Sequence, residues 1–253
     1  MYSRKVPTMD SKTKPKIWKL TNAQWAVYYW LLAHSKRNPS GQEDHYYIYR
    51  NSFTLAQIRK GTGIKSDVTV RSAIQKLQDE SIEALILDSL TGAYIIQPPR
   101  LFVAMNASII LGLLAFNQYI DTGLTITAFA ILARMHKFSE GKETPQFTKT
   151  EFAALMGFAK QHVDDAGIVL ILYLLKGLGL IEFHTKSYDN RVGVKCQRYY
   201  LDAAYPMSNA MDGLLNSDDD DEEGEKKSQR HIAELWDLVL GEAEREENSR
   251  SAQ

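Results

Sequence analysis

Phe53-Thr54-Leu55-Ala56-Gln57-Ile58, followed by Gly63-Ile64, recurs later as Phe147-Thr148-Lys149-Thr150-Glu151-Phe152, followed by Gly157-Phe158. In both copies a Thr stands three residues before a Gln or Glu. This is the pattern of a capping box, in which the two side chains satisfy backbone N–H groups at the start of a helix. The glycine suits the positive-φ position that closes a helix. The repeat therefore predicts two short capped helices, each ending near its glycine.

Each capped helix is followed by a second helical pattern. In the first copy it begins around Ser66-Asp67, and the apolar positions recur at i, i+3, i+4 and i+7 (Val70, Ala73, Ile74 and Leu77). In the second copy it spans about 160–176. A further helix is predicted upstream of each copy, over Thr21–Ser35 with Trp25, Tyr28 and Leu32 on one face, and over Thr125–Phe138 with Phe129, Leu132 and Met135.

A β-hairpin is predicted downstream of each copy. Both first strands begin Ile-Glu, at 82–83 and 181–182; the turns lie at 88–92 and 187–190, and the return strands at 93–97 and 192–201. The segment Tyr46–Arg50 predicts a short core strand that pairs with the first hairpin, and a stacking platform for single-stranded nucleic acid is the alternative.

The order of helix, helix, turn, helix and hairpin, present twice, predicts an α+β and mainly helical protein with two tandem winged helix-turn-helix domains. The domain limits are a flexible basic arm at 1–19, winged-helix domain 1 at 20–99, a joining helix and strand at 100–122, winged-helix domain 2 at 123–206, a disordered acidic linker at 207–228 and an amphipathic helix at 229–247.

Charge is distributed unevenly along the chain. Residues 212–253 hold 14 Asp or Glu and 5 Lys or Arg, which leaves 17 acidic and 25 basic residues in 1–211 and a formal charge of about +8 there. A basic body with a separate acidic tail favours contact with nucleic acid. An excess of lysine that serves only solubility is the alternative.

The second helix of the first copy carries a polar face opposite its apolar one. Arg71 and Gln75 are candidates for reading base edges in the major groove, beside Ser72. The candidates for phosphate contact are Lys65, Ser66, Thr69 and Lys76 on this helix, with Arg59 and Lys60 at the end of the preceding one.

The second copy is not equivalent to the first. Its second helix reads Ile168–Leu175 without a polar face, which predicts a largely buried helix. Asp164 and Asp165 near its start disfavour phosphate. Lys160 and the hairpin cations Lys186, Arg191, Lys195 and Arg198 are the candidate DNA contacts. Protein contacts by this domain are an equal alternative.

Enzymatic chemistry has no support in the sequence, so the protein is expected to be non-enzymatic. The six histidines show no metal-binding spacing, no phosphate-binding glycine loop occurs, and Cys196 is the sole cysteine, so no cofactor, metal or internal disulfide is expected. The chain has neither a signal-peptide pattern nor an apolar run long enough for a membrane, so a cytoplasmic protein without membrane contact is expected.

The C-terminal segment predicts a partner-binding helix. Ile232, Leu235, Trp236 and Val239 follow helical spacing beyond the acidic run, and they have no core of their own to join.

The segment Tyr94-Ile95-Ile96-Gln97-Pro98-Pro99, the apolar stretch 101–116, Asn117-Gln118-Tyr119-Ile120 and the helix 128–135 together resemble the plasmid replication initiators that bind iterons. The likeness covers roughly residues 20–202 as a pattern, without a diagnostic motif. It implies binding to repeated origin sites in duplex DNA, dimer and monomer forms, and contacts to replication proteins. Phage replisome organisers are similar in style.

Three functions follow from these features. The first is a replication initiator or replisome organiser, the second is a winged-helix transcriptional regulator that dimerises, and the third is a structural, partner-binding protein of chromosome organisation. The basic arm and body favour the first two, and the buried helix of the second domain is compatible with the third.

Overall fold

A computed structural model describes residues 3–7, 20–37, 45–97, 102–118, 122–139, 146–148, 166–189 and 195–203, together with residues 234, 237, 241 and 245. The chain divides into two compact units. Unit 1 comprises residues 1–8 and 13–126, and unit 2 comprises 9–12 and 127–253. The described residues form an α+β structure that is mainly helical, as predicted.

Unit 1 contains most of the described elements. In chain order they are β1 (Ser3–Pro7), α1 (Asn22–His34), β2 (Lys36–Arg37), β3 (Tyr46–Tyr49), α2 (Leu55–Thr62), α3 (Asp67–Leu77), β4 (Leu85–Asp88), β5 (Ala93–Ile96), β6 (Phe102–Asn106) and α4 (Ala107–Ala115). The division between the units falls within α5 (Thr122–Ser139). Unit 2 adds β7 (Gln146–Thr148), α6 (Ala166–Gly177), β8 (Ile181–Asp189) and β9 (Lys195–Ala203).

Helix α1 is the centre of unit 1. Thr21 and Gln24 form a capping box at its start, and all residues from Trp25 to Ala33 are buried. The prediction of a single buried face is therefore too narrow. α1 packs against α2, α3 and α4, so that neighbours cover it on several sides.

Helices α2 and α3 lie at the positions predicted for the two helices of the first copy of the repeat. Thr54 caps α2, its hydroxyl accepting from the Gln57 N–H while the Gln57 side chain accepts from the Thr54 N–H at 2.8 Å. Gly63 ends α2 at φ +69°, in the left-handed region that favours glycine. Both predictions for this stretch are confirmed. Ser66 precedes α3 as expected, but its side chain makes no capping hydrogen bond.

A four-stranded antiparallel sheet in the order β2-β3-β5-β4 completes this part of unit 1. β3 pairs with β5, with Tyr47 opposite Ile95, which confirms the predicted short strand. The first hairpin is also confirmed, but its first strand begins at Leu85 and not at Ile82. The N–H groups of Ile82 and Glu83 bond to the Asp79 carbonyl, and Glu83 has φ +52°, so a turn occupies these positions.

The joining segment is part of unit 1 and has a different element order from the predicted one. Its strand β6 precedes the helix α4, whereas a helix followed by a strand was predicted for 100–122. A 3₁₀ turn covers Phe116–Gln118 instead. The cause is a long-range contact, because the Asn117 side-chain amide donates to the Thr62 carbonyl at 2.9 Å and ties the turn to the end of α2.

The prediction of a flexible basic arm over residues 1–19 is wrong for Ser3–Pro7. These residues form β1, which pairs antiparallel with β6. Arg4 is buried, donates from Nε to the Leu32 carbonyl at 2.9 Å and from its terminal nitrogen to the Ser35 carbonyl, and stacks over the Tyr46 ring. A cation at the C-terminal carbonyls of α1 offsets their partial negative charge, which gives this arginine a reason to be inside.

Unit 2 contains a helix and hairpin in the predicted order. Ile171–Leu175 of α6 are buried, which confirms the buried helix over these residues. β8 and β9 pair antiparallel with Asp189 opposite Lys195. The turn predicted at 187–190 is therefore wrong for Ser187–Asp189, since strand pairing extends through them. Thr148, expected to cap a helix, ends strand β7, which pairs with β9; residues 149–165 lie outside the described ranges.

None of the helices within the described ranges is long and apolar enough to cross a membrane.

Candidate nucleic-acid interface

The polar face of α3 is presented to solvent. Val70, Ala73, Ile74 and Leu77 are buried toward the rest of unit 1, where α3 packs against α1 and α2. The residues predicted for the opposite side are all exposed, namely Lys65, Ser66, Thr69, Arg71, Ser72 and Gln75. No carboxylate occurs in the sequence between Asp67 and Asp79.

Two of the predicted phosphate contacts are already engaged within the protein. Arg59 forms an ion pair with Asp67, Nε to Oδ1 at 2.7 Å, and its terminal nitrogen donates to the Lys65 carbonyl at 3.3 Å. Lys76 forms an ion pair with Asp79 at 2.8 Å. Both pairs are partly exposed, so each contributes little to stability. Phosphate must compete with a carboxylate for these two cations.

The Asp79 carboxylate closes the turn that follows α3. Besides the Lys76 ammonium, it accepts the Ser81 backbone N–H at 2.8 Å and the Ser81 hydroxyl at 2.6 Å. The hydrogen bond from Lys76, followed by those from Ser81, holds the pKa of Asp79 well below its usual range. The aspartate is therefore ionised at neutral pH and keeps Lys76 in place beside the end of α3.

The β4–β5 hairpin contributes no cation to this surface, because Leu85–Ile96 contains one Asp and no Lys or Arg. Its tip is rigid. Asp88 accepts from the Leu90 N–H at 3.0 Å and the Thr91 hydroxyl at 2.6 Å, and the Thr91 bond is the main cause that lowers the pKa of Asp88. Leu90 stands at the tip with 95% of its surface exposed.

A groove of about 570 Å³ lies between α3 and this hairpin. Phe53, Ile74 and Leu87 supply apolar walls, and Arg50 and Arg71 supply charge; none of the residues that line it is acidic. Arg50 was not among the predicted contacts. It directly follows β3, and only the pairing of β3 with the hairpin brings it to the groove, so no local sequence pattern marks it.

The predicted site residues of unit 2 are described only in part. Lys186 stands opposite Arg198 in the β8–β9 register, and Lys195 stands opposite Asp189, so the hairpin brings these three cations onto one pair of strands. Lys160 and Arg191 lie outside the described residues. In unit 1, Lys60 is exposed at the end of α2.

The C-terminal helix is described at four positions. Glu234, Asp237, Gly241 and Arg245 are helical, and the three charged residues among them are exposed. This agrees with a helix over 229–247 at these positions. The proposed anchors Ile232, Leu235, Trp236 and Val239 lie outside the described residues.

No group of His, Cys, Asp and Glu side chains within the described ranges could hold a metal ion.

No protein-family model matches this chain, and no curated protein or solved structure shows significant similarity to it.

Proposed function

We propose that this protein is a non-enzymatic, sequence-specific binder of double-stranded DNA, in which unit 1 is a winged helix and α3 enters the major groove. The observation that carries the proposal is the exposed face of α3, which presents Arg71, Gln75 and Ser72. The one carboxylate of this helix, Asp67 in its first turn, is paired with Arg59. Arginine and glutamine are the side chains that bind guanine and adenine edges in the major groove.

The element order of unit 1 supports this proposal. One helix precedes a short strand, two helices joined by a tight turn follow, and a hairpin then pairs with the short strand. In a winged helix the first helix of the turn motif holds the second one against the duplex, and α2 packs against α3 in this way. We propose a second winged helix in unit 2, where α5, α6 and the β8–β9 hairpin follow the same order.

The biological role proposed for this activity is that of a plasmid or phage replication initiator, which binds origin repeats as a homodimer or monomer and recruits a replication protein through its C-terminal helix. Its support is the pattern-level resemblance over residues 20–202 and the basic body of about +8 with a separate acidic tail. A transcriptional regulator is the alternative role.

Titration of labelled duplex fragments from the DNA around its own gene, at two salt concentrations, tests the proposal. Affinity is expected to fall steeply with salt, because bound phosphates release counterions. Preference for repeated sites supports initiation, and preference for a single operator supports regulation. No binding at moderate salt would contradict DNA binding in either role.

Substitutions on α3 separate base contacts from phosphate contacts. Arg71→Ala and Gln75→Ala are expected to cost about 1–3 kcal/mol on the preferred site and to reduce sequence preference. Lys65→Ala is expected to weaken binding to all duplexes alike. It is also expected to lower the slope of log affinity against log salt concentration by about 1. Unchanged affinity and preference in all three variants would show that α3 is not the reading helix.

A further inference from the structure

The groove between α3 and the β4–β5 hairpin is continuous with the face of α3 that is proposed to read DNA. Arg71 and Gln75 belong to both surfaces, since they are exposed on α3 and also line the groove. A sugar–phosphate strand that borders the major groove next to α3 must pass along this side of the helix. The hairpin, which forms the other wall, contains no cation that could neutralise that strand.

Arg50 supplies the missing charge from the sheet side. Its backbone N–H donates to the Gly92 carbonyl at 3.2 Å, which fixes it beside the turn of the hairpin, and its side chain is exposed. Within the part of the chain that the structure describes, no carboxylate pairs with Arg50 or Arg71, in contrast to Arg59 and Lys76. These two guanidinium groups therefore line one groove from two sides without internal neutralisation.

We propose that this groove holds one sugar–phosphate strand of the DNA duplex, with the guanidinium group of Arg50 bound to its phosphates while Arg71, on the α3 side, reads the adjoining base edges. The inference rests on the proposed DNA-binding function and adds a contact outside the helix-turn-helix. The planar arginine fork binds phosphate oxygens in pairs. Apolar side chains on its walls, such as Leu87 and Phe53, suit the deoxyribose carbons.

The test compares Arg50→Gln with Lys36→Gln in the full chain. Lys36 is exposed on β2, at the opposite edge of the sheet from β4, so its loss removes the same charge away from the groove. Arg50→Gln is expected to weaken binding about tenfold on every duplex sequence alike and to lower the salt slope by about 1, whereas Lys36→Gln changes both little. Equal effects of the two variants would overturn the inference.

The outcomes distinguish this inference from the proposed function. Salt-dependent duplex binding by the wild type, with Arg50→Gln indistinguishable from Lys36→Gln, leaves the proposed function standing and removes the groove contact. Absence of duplex binding by the wild type overturns both. A single-stranded oligonucleotide of the same length serves as a second probe. If Arg50→Gln loses more affinity for this oligonucleotide than for the duplex, the assignment of the groove to a strand of a duplex is overturned.

Arg50→Lys separates charge from geometry, since it keeps the cation and removes the planar fork. This variant is expected to restore the salt slope of the wild type and part of its affinity. Failure to restore the slope would contradict a phosphate contact. Thermal unfolding of each variant, expected to match that of the wild type, excludes loss of fold as the cause.

Discussion

Arg59 and Arg71 lie on neighbouring helices of the same motif and differ in what their guanidinium groups already bind. Arg59 is held by Asp67 at 2.7 Å, whereas Arg71 is exposed and lines the groove. A cation paired with a carboxylate must exchange that partner for a phosphate, and the net gain is small. We therefore assign the proposed DNA contacts of unit 1 to Arg71, Gln75, Lys65 and Arg50, with Arg59 and Lys76 as secondary candidates.

Residue type and helical spacing were sufficient to predict the exposed face of α3, because burial follows the apolar period directly. They were not sufficient to show that Arg59 and Lys76 each form an ion pair within the protein. The pair between Arg59 and Asp67 joins the end of α2 to the start of α3, and the pair between Lys76 and Asp79 depends on the turn after α3. Both depend on chain geometry beyond the helix period.

Asp79 provides a pH test of the turn that holds Lys76. Hydrogen bonds from Lys76 and Ser81 lower its pKa in the folded state, so its contribution to stability is present above the unfolded pKa of about 3.9 and is lost as pH falls through the folded pKa. Asp79→Asn is expected to lower the melting temperature at pH 7, and the difference from the wild type should narrow as the pH falls below about 4.

Circular dichroism melts across this pH range measure the effect, and Glu80→Gln is the matched control, since Glu80 is an exposed neighbour with no hydrogen bond or ion pair among the described residues. A difference between Asp79→Asn and the wild type that stays constant from pH 7 into acid would show that the stabilisation does not come from the ionised Asp79 carboxylate.

At the level of elements, α2 is fixed at both ends by different means. The capping box of Thr54 and Gln57 is local and was predictable from four residues. Gly63 also packs against the turn at Asn117, 54 positions further along the chain. No local sequence pattern predicts this contact. The same distinction accounts for the misplaced elements, since the 3₁₀ turn at 116–118, strand β1 and the later start of β4 all depend on contacts with distant residues or on a turn.

The contact between α2 and the turn at Asn117 predicts unequal effects at two glycines. A Cβ at Gly63 would lie 2.8 Å from the Asn117 carbonyl oxygen, whereas a Cβ at Gly92 would meet nothing within 4 Å. Their φ values, +69° and +67°, are nearly the same. Gly92→Ala should therefore lower the free energy of unfolding only by the cost of a left-handed alanine, about 1–2 kcal/mol. Gly63→Ala should lower it clearly more, because its Cβ also meets the Asn117 carbonyl oxygen.

Urea unfolding of the two alanine variants measures this difference, with Gly92→Ala as the control for backbone strain. Equal losses of stability would mean that the turn at 116–118 does not pack on α2, and that the joining segment is not part of unit 1.

At the scale of the whole molecule, the order of periodic segments and turn residues along the chain predicted more of the architecture of unit 1 than any single residue did. The α+β, mainly helical character and the helix–turn–helix–hairpin order of unit 1 followed from local periodicity and turn residues. The non-equivalence of the two halves followed from the apolar helix now described as α6, which is buried over Ile171–Leu175. Duplex DNA as the ligand remains a prediction, which rests on the exposed polar face of α3, where the only carboxylate, Asp67, is paired with Arg59.

The most direct test of this prediction maps the duplex onto the protein. Amide chemical-shift changes of the ¹⁵N-labelled full chain, recorded while a duplex is added at low salt, report which elements bind. Changes concentrated on residues 65–76 of α3 and its approach, on Arg50 and along the adjoining hairpin are expected. If the duplex binds and the amide signals of these residues do not shift, while signals of other residues do, a DNA-reading role for α3 would be contradicted.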